Sequence, residues 1–182
     1  MSLKVGIAGY GLAGRYFHAP LLKGCGFEVA SILTNNEVRK SHAIEDFPAT
    51  KIVHSIEDLI NQDLDLVVVA SANLVHADQA IAALQAGKPV VVDKPMGRTF
   101  SETKRIIDVS NATGVPVSTF FNRRWDSDAL TIKSVLASGV LWQIHRVDSR
   151  FERFRPELNP QSWRENMSAE DGGGQLLDLQ PH

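Results

Sequence analysis

The sequence predicts an α/β protein with a doubly wound parallel sheet, and three observations carry this prediction. Short apolar stretches alternate with helical stretches through residues 1–120, which is the pattern of repeated β-α-β units. A glycine-rich turn directly follows the first apolar stretch. The fourth stretch, residues 64–70, contains three consecutive valines, and a strand buried on both faces of a parallel sheet has such a continuous apolar run.

Six strands are predicted from these apolar stretches and from the turn residues that separate them. The predicted strands cover residues 4–8, 28–33, 51–53, 64–70, 89–93 and 115–120. Because consecutive strands are joined by helical stretches, we expect right-handed crossovers that place helices on both faces of the sheet.

Capping residues and apolar periodicity predict the helices between the strands. One helix follows the glycine turn and is interrupted by Pro20. Ser55 and Thr99 each stand three residues before an acidic side chain, which is typical of a helix start. Between the fourth and fifth strands, apolar residues at i, i+3, i+4 and i+7 predict a helix with Asn73 as its N-cap and Gly87 just past its end.

The pattern changes after residue 120. Residues 128–137 are predicted to form a helix that Gly139 closes, and residues 141–154 to form a long strand that alternates poorly between apolar and polar side chains. No core of its own is evident in this segment. We therefore expect residues 1–120 to form one domain and residues 121–182 to be the start of an incomplete α+β domain.

Composition excludes several classes of protein and of partner. The 182 residues carry 19 Lys and Arg against 21 Asp and Glu, a formal charge of −2, so nucleic acid is not an expected partner. No apolar run approaches the roughly 20 residues that span a bilayer, so no membrane association is expected. The single cysteine, Cys25, permits no internal disulfide and no multi-cysteine metal site, and cytoplasmic localisation is the expectation.

A G-x-G-x-x-G motif lies between the first strand and the first helix, the context in which it indicates dinucleotide binding. In such motifs the first glycine makes a tight turn, the second lets a pyrophosphate approach the backbone, and the third lets helix and strand pack closely. Methyltransferases and flavoproteins share the motif, and a turn without a ligand is the simplest alternative. The candidate cofactor-binding residues here are Gly9, Tyr10, Gly11, Leu12, Ala13 and Gly14.

The end of the second strand favours NADP over NAD. Sites that prefer NAD place an acidic residue there to bind the ribose hydroxyls, whereas this chain has Thr34. Thr34 and Asn35 offer neutral donors to a 2′-phosphate, and Arg39 with Lys40 could neutralise it, unless these cations merely face solvent. The missing carboxylate also disfavours a methyltransferase, which would use one for the ribose of S-adenosylmethionine.

Two further groups of residues indicate acid–base chemistry. Lys94 directly follows the fifth strand, where open α/β sheets bind ligands, and its ammonium group could stabilise negative charge on a hydroxyl or ketone oxygen. Asp178 and His182 stand at i and i+4, so on a helix they would form a carboxylate–imidazole pair. Such a pair is more often a helix-surface contact than a catalytic dyad.

Taken together, these motifs resemble the Gfo/Idh/MocA oxidoreductases, and within that family the branch of NADP-dependent scyllo-inositol dehydrogenases. The matching segments are the glycine turn, residues 71–76, residues 86–95, residues 122–125 and residues 172–182. The resemblance implies a Rossmann fold and oxidation of a secondary alcohol of a sugar or polyol, with hydride transfer to the nicotinamide. A dinucleotide-binding or sensing protein without catalysis is the alternative from another class.

The resemblance also implies roles for individual residues. Lys94 would hold the substrate hydroxyl, His182 would be the general base, and Asp178 would orient His182 or share its proton. Other matching positions would line the cofactor, namely Ser71, Asn73 and His76, or the substrate, namely Asn122, Arg124 and Trp163. For His76 a satisfied histidine at a helix start is an equal alternative, and for Trp163 a core aromatic is the stronger one.

The chain departs from the family pattern at three individual residues and in its length. Asp93 replaces the usual glutamate before the lysine, Ala72 replaces a common proline, and Gln180 stands where glycine is frequent. Family members are considerably longer, so truncation after the N-terminal half is the expectation. His182 would then lie on a fraying end, and apolar side chains of residues 121–182 would be left to self-association, which predicts a homo-oligomer.

Overall fold

A computed structural model of the chain describes residues 2–150, 152, 154, 156, 157, 159 and 162–179. Its centre is a six-stranded sheet in which every pairing is parallel and the order is β3-β2-β1-β4-β5-β6. The strands are β1 (Lys4–Ala8), β2 (Glu28–Leu33), β3 (Lys51–Val53), β4 (Leu66–Val69), β5 (Val90–Asp93) and β6 (Val117–Phe120). The doubly wound prediction is confirmed, and the order is that of the Rossmann dinucleotide-binding fold.

Helices connect the strands and continue beyond them. After β1 a π-helical turn, Gly14–His18, leads into α1 (Ala19–Gly24). The remaining helices are α2 (Glu37–Asp46), α3 (Ile56–Ile60), α4 (Asn73–Gln85), α5 (Phe100–Thr113), a 3-10 turn (Asn122–Trp125), α6 (Ser127–Ala137), α7 (Trp163–Asn166) and α8 (Gln175–Leu179). The sheet order reverses between β1 and β4, so the loops after these two strands diverge and leave a crevice at their carboxyl ends.

Apolar side chains cover both faces of the sheet. Along β4, Val67 and Val69 belong to a core cluster with Ala80 and Leu84 of α4. Val68, between them, points to the opposite face and belongs to a second cluster with β1 and β2 side chains. Since alternate residues of a strand face opposite sides, a strand with a core on each side needs the uninterrupted valines that the sequence provides.

Three of the helix-end predictions are confirmed and one is wrong. Ser55 Oγ accepts a hydrogen bond from the Asp58 amide at 3.0 Å, and Thr99 Oγ1 accepts one from the Glu102 amide at 3.1 Å. Gly87 follows α4 with a φ of 74°, a conformation that glycine adopts without strain. Asn73, however, is the first residue of α4 rather than its N-cap, because its side chain bonds to a distant loop instead of to its own helix.

Pro20 does not interrupt the first helix, contrary to the prediction. It lies in the first turn of α1, directly after the π-helical turn, in which the Ala19 amide donates to Gly14 O, five residues back. The wider π-helical turn lets the chain continue although Pro20 donates no backbone hydrogen bond. The chain therefore runs from the π-helical turn into α1 without a break.

The predicted long strand is also wrong over the part that is described. Residues 141–150 form no strand, and their side chains are exposed. A strand requires a neighbour for its backbone hydrogen bonds, and none of the strands described here lies beside this segment. The preceding helix is confirmed as α6, and Gly139 follows it with a φ of 71°.

Within the described residues, no helix combines the length and the apolar character that crossing a membrane requires.

Candidate dinucleotide-binding and active site

The glycine turn occupies the switch point of the sheet, and two of its glycines are enforced by close packing. Gly9 has a φ of +97°, and a Cβ atom there would stand 2.7 Å from the backbone of Ser71. A Cβ atom on Gly14 would overlap the carbonyl oxygen of Gly9. The Gly9 amide donates to Leu33 O at 3.0 Å, so the turn is also fixed to the end of β2. These two glycines hold the turn in shape whether or not a ligand binds.

Gly11 is glycine for a different reason. The nearest atoms to a Cβ placed there belong to the Arg39 guanidinium, 3.7–3.9 Å away, so the folded chain alone leaves room for a methyl group. A glycine that packing does not require presents bare backbone to a ligand, which is what close approach of a pyrophosphate requires. Of the flanking residues, Leu12 is exposed and Ala13 half-buried at the start of the helix. The turn therefore fits a dinucleotide.

Tyr10 faces inward and ties the turn to α2. Its side chain is buried, and its hydroxyl donates to Asp46 Oδ2 at 2.9 Å. Arg15 donates to the same carboxylate from Nε at 2.8 Å and from Nη2 at 3.3 Å. The hydrogen bond from Arg15 is the main cause that lowers the pKa of Asp46, while burial and the Asp46 bond raise the pKa of Tyr10. This Tyr10–Asp46–Arg15 network fixes the glycine turn against α2.

We expect Asp46→Asn to lower the free energy of unfolding by about 1–3 kcal/mol at neutral pH, because two donors would lose a charged acceptor. The pKa of Asp46 is lower folded than unfolded, so its contribution is present above the unfolded value of about 3.9 and is lost as pH falls through the folded value. Urea unfolding at pH 7 and pH 3 measures this, and the difference between wild type and variant should shrink at pH 3. The control is Glu45→Gln, whose exposed carboxylate lies 3.7 Å from Arg15. Equal losses in both variants would contradict the network.

Among the four residues predicted to meet a 2′-phosphate, Arg39 is the one whose side chain contacts the glycine turn. Its guanidinium lies against Gly11, and its amide donates to the Asn36 side chain at the start of α2. Thr34 is only 5% exposed, and its hydroxyl accepts from the Asn36 amide at 3.4 Å. Asn35 donates from Nδ2 to His54 O at 3.1 Å. Arg39 is therefore the cation placed to meet a phosphate at the turn.

At the carboxyl end of β5 the structure brings together Lys94 and Asp178, 84 residues apart in the chain. Lys94 Nζ donates to Asp178 Oδ1 at 2.9 Å and to its backbone oxygen at 2.5 Å. The Lys94 side chain is 12% exposed and that of Asp178 32%, so the Lys94–Asp178 pair lies in a recess that still reaches solvent. Asp178 was expected beside His182, and His182 lies outside the described residues.

Buried histidines support the backbone on either side of Lys94. The Lys94 amide donates to Asp93 Oδ1 at 2.7 Å, and His18 Nε2 lies 3.8 Å from Asp93 Oδ2. Burial raises the pKa of Asp93, but the nearby His18 ring and the hydrogen bond from the Lys94 amide outweigh it and the net shift is downward. His76 is buried, with ring nitrogens 2.9 Å from Pro95 O and 3.1 Å from Ser71 O, and burial lowers its pKa. His76 thus lies between the loops that follow β4 and β5 and contacts a backbone oxygen of each.

Ser71 and Asn73, predicted to line the cofactor, both make contacts within the protein. Ser71 Oγ donates to Gln79 Oε1 at 2.7 Å, which braces the start of α4. Asn73 Nδ2 donates to Gly172 O at 3.1 Å in a buried hydrogen bond. Both residues lie at the sheet edge where a dinucleotide would bind, and their side chains organise that edge.

The predicted substrate residues lie partly in the same region. Asn122, half-buried, and Arg124, exposed, are on the 3-10 turn that follows β6. Because β6 pairs with β5 and Phe120 lies opposite Asp93, this turn is at the same edge of the sheet as Lys94. Trp163 begins α7, and its side chain lies outside the described part of the chain.

Three residues of this region were missed by sequence reasoning. Asp46 bonds to side chains of the glycine turn and Arg98 bonds to the loop before α8, while His18 lies beside the Asp93 carboxylate. None belongs to a motif, and each acts through a partner that only the fold brings near. Only the alternation of charge at Arg98 and Glu102, four residues apart, was a visible signal of an ion pair.

Comparison with known proteins agrees with this geometry. A family model described as an oxidoreductase family with an NAD-binding Rossmann fold (GFO_IDH_MocA) matches residues 3–121. The uncharacterized oxidoreductase YdgJ of Escherichia coli (strain K12) is 40% identical over 182 residues, covering 100% of this chain and 51% of YdgJ. The scyllo-inositol 2-dehydrogenase (NADP(+)) IolW of Bacillus subtilis (strain 168) is 37% identical, covering 100% of this chain and 49% of IolW.

A solved structure extends the similarity to three dimensions. The oxidoreductase yvaA from Bacillus subtilis superimposes with a TM-score of 0.89 at 35% identity, over 99% of this chain and 50% of its own. The chain thus spans about half the length of the curated relatives it matches. With its glycine turn, its sheet order and a family match over most of its residues, the chain belongs to the Gfo/Idh/MocA family of oxidoreductases with an NAD-binding Rossmann fold.

Proposed function

We propose that this chain is the dinucleotide-binding portion of an NADP-dependent dehydrogenase that oxidises a secondary alcohol of a sugar or polyol of the inositol type. The observation that carries the proposal is the Lys94–Asp178 pair at the carboxyl end of β5, on the sheet edge that also carries the glycine turn. The names of IolW and of the inositol 2-dehydrogenase from Salmonella typhimurium, 32% identical over 154 residues, support the substrate class.

The cofactor would be held by the glycine turn and by Arg39. The open approach to Gly11 accommodates a pyrophosphate, and the Arg39 guanidinium beside it supplies a fork of N–H donors suited to a 2′-phosphate. When bound, NADP supplies the hydride acceptor for alcohol oxidation.

The residues after β5 would handle the oxygen and its proton. Lys94 donates hydrogen bonds, so its ammonium group can bind the substrate hydroxyl and stabilise negative charge that develops on its oxygen. Asp178 holds that ammonium group in place through two oxygen atoms. By resemblance to the family, His182 would accept the hydroxyl proton. Asn122 and Arg124 would contact the substrate from the neighbouring strand end, and Trp163 would do so from α7.

The setting of this activity is part of the same proposal. We assign the protein to the cytoplasm, since its one cysteine, Cys25, suits a reducing compartment. Self-association is proposed from the many exposed apolar side chains of α6 and of residues 138–147, such as Ile132 and Trp142. The ligands are small molecules, a dinucleotide and a polyol.

Titration of the purified chain with NADPH and NADH, followed by nucleotide fluorescence, tests cofactor binding. We expect NADPH to bind more tightly. Turnover is then measured in the intact protein with scyllo-inositol, myo-inositol and a panel of sugars, and reduction of NADP is the expected result. Binding without turnover on any alcohol would support a dinucleotide-binding or sensing protein instead. Absence of binding would contradict the proposal as a whole.

Arg39→Ala is expected to weaken NADPH binding by about 10- to 100-fold and to leave NADH binding within about twofold. The reason is that loss of a bidentate phosphate contact costs roughly 1.5–3 kcal/mol, and tenfold in affinity is about 1.4 kcal/mol. Lys40→Ala is the matched control, because Lys40 stands next in sequence but pairs with Glu37 on the exposed surface of α2. Equal losses for NADPH and NADH would show that Arg39 is not the specificity residue.

A further inference from the structure

A tight loop immediately precedes α8 and is closed by its own hydrogen bonds. The amides of Gly172 and Gly173 donate to Ala169 O and Ser168 O, at 3.1 and 2.9 Å. Ser168 Oγ donates to Asp171 Oδ2 and accepts from the Asp171 amide. Gly172 and Gly173 are buried although the loop is otherwise exposed, so they are its attachment to the rest of the protein.

Two side chains of the Rossmann portion, beyond the carboxyl ends of its strands, donate hydrogen bonds to this loop. Asn73 Nδ2 donates to Gly172 O at 3.1 Å, and Arg98 Nη1 donates to Glu170 O at 3.2 Å. Arg98 is itself fixed by Glu102, which accepts from its Nε and Nη2 and from its backbone amide. The guanidinium is therefore held in one orientation before it reaches the loop.

The loop packs closely against the Asn73 and Arg98 side chains. Gly172 has a φ of +94°, and a Cβ atom there would stand 2.9 Å from Asn73 Cβ and 3.1 Å from the Arg98 side chain. A Cβ atom on Gly173 would overlap the carbonyl oxygen of Met167. Asn73 and Arg98 thus set the position at which the chain enters α8, with little freedom on either side.

Helix α8 is too short to be stable on its own. It has five residues, far below the roughly 12–15 at which an isolated helix becomes even marginally stable. Asp178 lies six residues after Gly172, and it reaches Lys94 only if the loop is in place. We propose that Asn73 and Arg98 are positioning residues that hold Asp178 against Lys94 and so set the orientation of the Lys94 ammonium group; their effect on catalysis rests on the function proposed above.

This assignment gives Asn73 a role different from lining the cofactor. One N–H of its amide group donates to Gly172 O, and its action on the reaction passes through the loop and Asp178. A positioning role of this kind should lower kcat more than it changes cofactor affinity, because a displacement of about 1 Å in a reacting group costs up to 100-fold in rate.

The test uses Asn73→Leu, which keeps the size of the side chain and removes its donor, and Arg98→Gln, with Arg98→Lys as the conservative variant. In the intact protein we expect kcat to fall roughly 10- to 100-fold for Asn73→Leu and Arg98→Gln. The dissociation constant of NADPH should stay within about twofold, the pH profile of kcat should shift, and Arg98→Lys should recover part of the rate. Arg105→Gln is the control, since Arg105 lies seven residues after Arg98, on α5, and pairs with Asp78 at the exposed surface, 3.6 Å away.

A second readout needs no turnover. The 182-residue chain is acetylated at its lysines and analysed by peptide mass spectrometry. We expect Lys94 to be labelled about tenfold faster in Asn73→Leu and Arg98→Gln than in the wild type, because Lys94 is released from Asp178. A tenfold ratio corresponds to a loss of about 1.4 kcal/mol in the Lys94–Asp178 interaction. Lys88, half-buried at the other end of β5 and bonded to Leu64 O, is the internal reference and should not change. Unchanged labelling of Lys94 would overturn the positioning role even if the wild type proved inactive on every alcohol. Faster labelling with an unchanged kcat would show that the positioning of Lys94 does not affect catalysis. Selective loss of NADPH binding would indicate that Asn73 binds the cofactor, as the sequence predicted.

Discussion

Replacing Lys94 with alanine is expected to lower kcat for alcohol oxidation by about 10²- to 10⁴-fold while NADPH affinity changes little. The ammonium group lies at the carboxyl end of β5, bonded to Asp178 and only 12% exposed, so solvent screens its charge weakly and a neutral water molecule in its place could not supply that charge. Its loss removes the donor that stabilises negative charge on the substrate oxygen. The measurement is steady-state turnover of the intact protein with the best polyol, paired with fluorescence titration of NADPH.

Lys88→Ala is the matched control for this variant. Lys88 is another partly buried lysine that bonds to a backbone oxygen, but it precedes β5 and so lies at the opposite edge of the sheet. We expect it to alter stability and leave kcat within about twofold. If Lys94→Ala retained full turnover, Lys94 would have no part in the reaction, and if it lost NADPH binding, its role would lie in cofactor binding.

The conservative variant Lys94→Arg separates charge from geometry. Arginine keeps the positive charge, but its planar, longer fork cannot place a single donor where the ammonium group stands. We expect kcat to remain well below that of the wild type. Recovery of activity in Lys94→Arg would mean that a positive charge anywhere in the recess is sufficient.

The sheet was predictable because its signals are local. The valine run of β4 needs a core on both faces, and Ser55 and Thr99 satisfy amides three residues away, so each element carries its own evidence. The predicted strand after residue 140 failed for the opposite reason. Apolar residues alone do not make a strand, because a strand also requires a neighbour, and none is present among the described strands.

The same difference between local signals and long-range contacts separates the residues of the site that were predicted from those that were not. Gly9, Gly14 and Lys94 were identifiable because the motif and its place after a strand suffice to define them. The contact between Asp178 and Lys94 could not be read from the sequence, because the fold brings it together across 84 residues. The predicted pairing of Asp178 with His182 lies outside the described residues. The hydrogen bond from Asn73 to Gly172 O was equally invisible in the sequence. Contacts between distant segments are set by topology, which residue spacing does not encode.

The three glycines of the turn should separate into two classes when each is replaced with alanine. Gly9→Ala and Gly14→Ala are expected to lower the free energy of unfolding by about 3 kcal/mol, because each new Cβ atom would collide with backbone that cannot move aside. Gly11→Ala should change stability by no more than about 0.5 kcal/mol, since the new Cβ atom would meet only the Arg39 guanidinium, at ordinary contact distance. Urea unfolding of the purified chain measures all three.

For nucleotide binding we expect Gly11→Ala, the mildest variant in stability, to have a large effect. This measurement tests whether the turn binds a ligand or only turns the chain. Gly11→Ala is expected to lose about 10- to 100-fold in affinity for both NADPH and NADH while remaining folded, because a methyl group at Gly11 would stand where the pyrophosphate approaches the backbone. Gly24→Ala is the control, as Gly24 ends α1 with free space around it and lies away from the turn. A Gly11→Ala protein that bound both nucleotides as the wild type does would mean that the motif serves only to turn the chain. Loss of binding with stability intact would show that Gly11 is kept bare for a ligand, since the packing of the protein by itself does not exclude a side chain there.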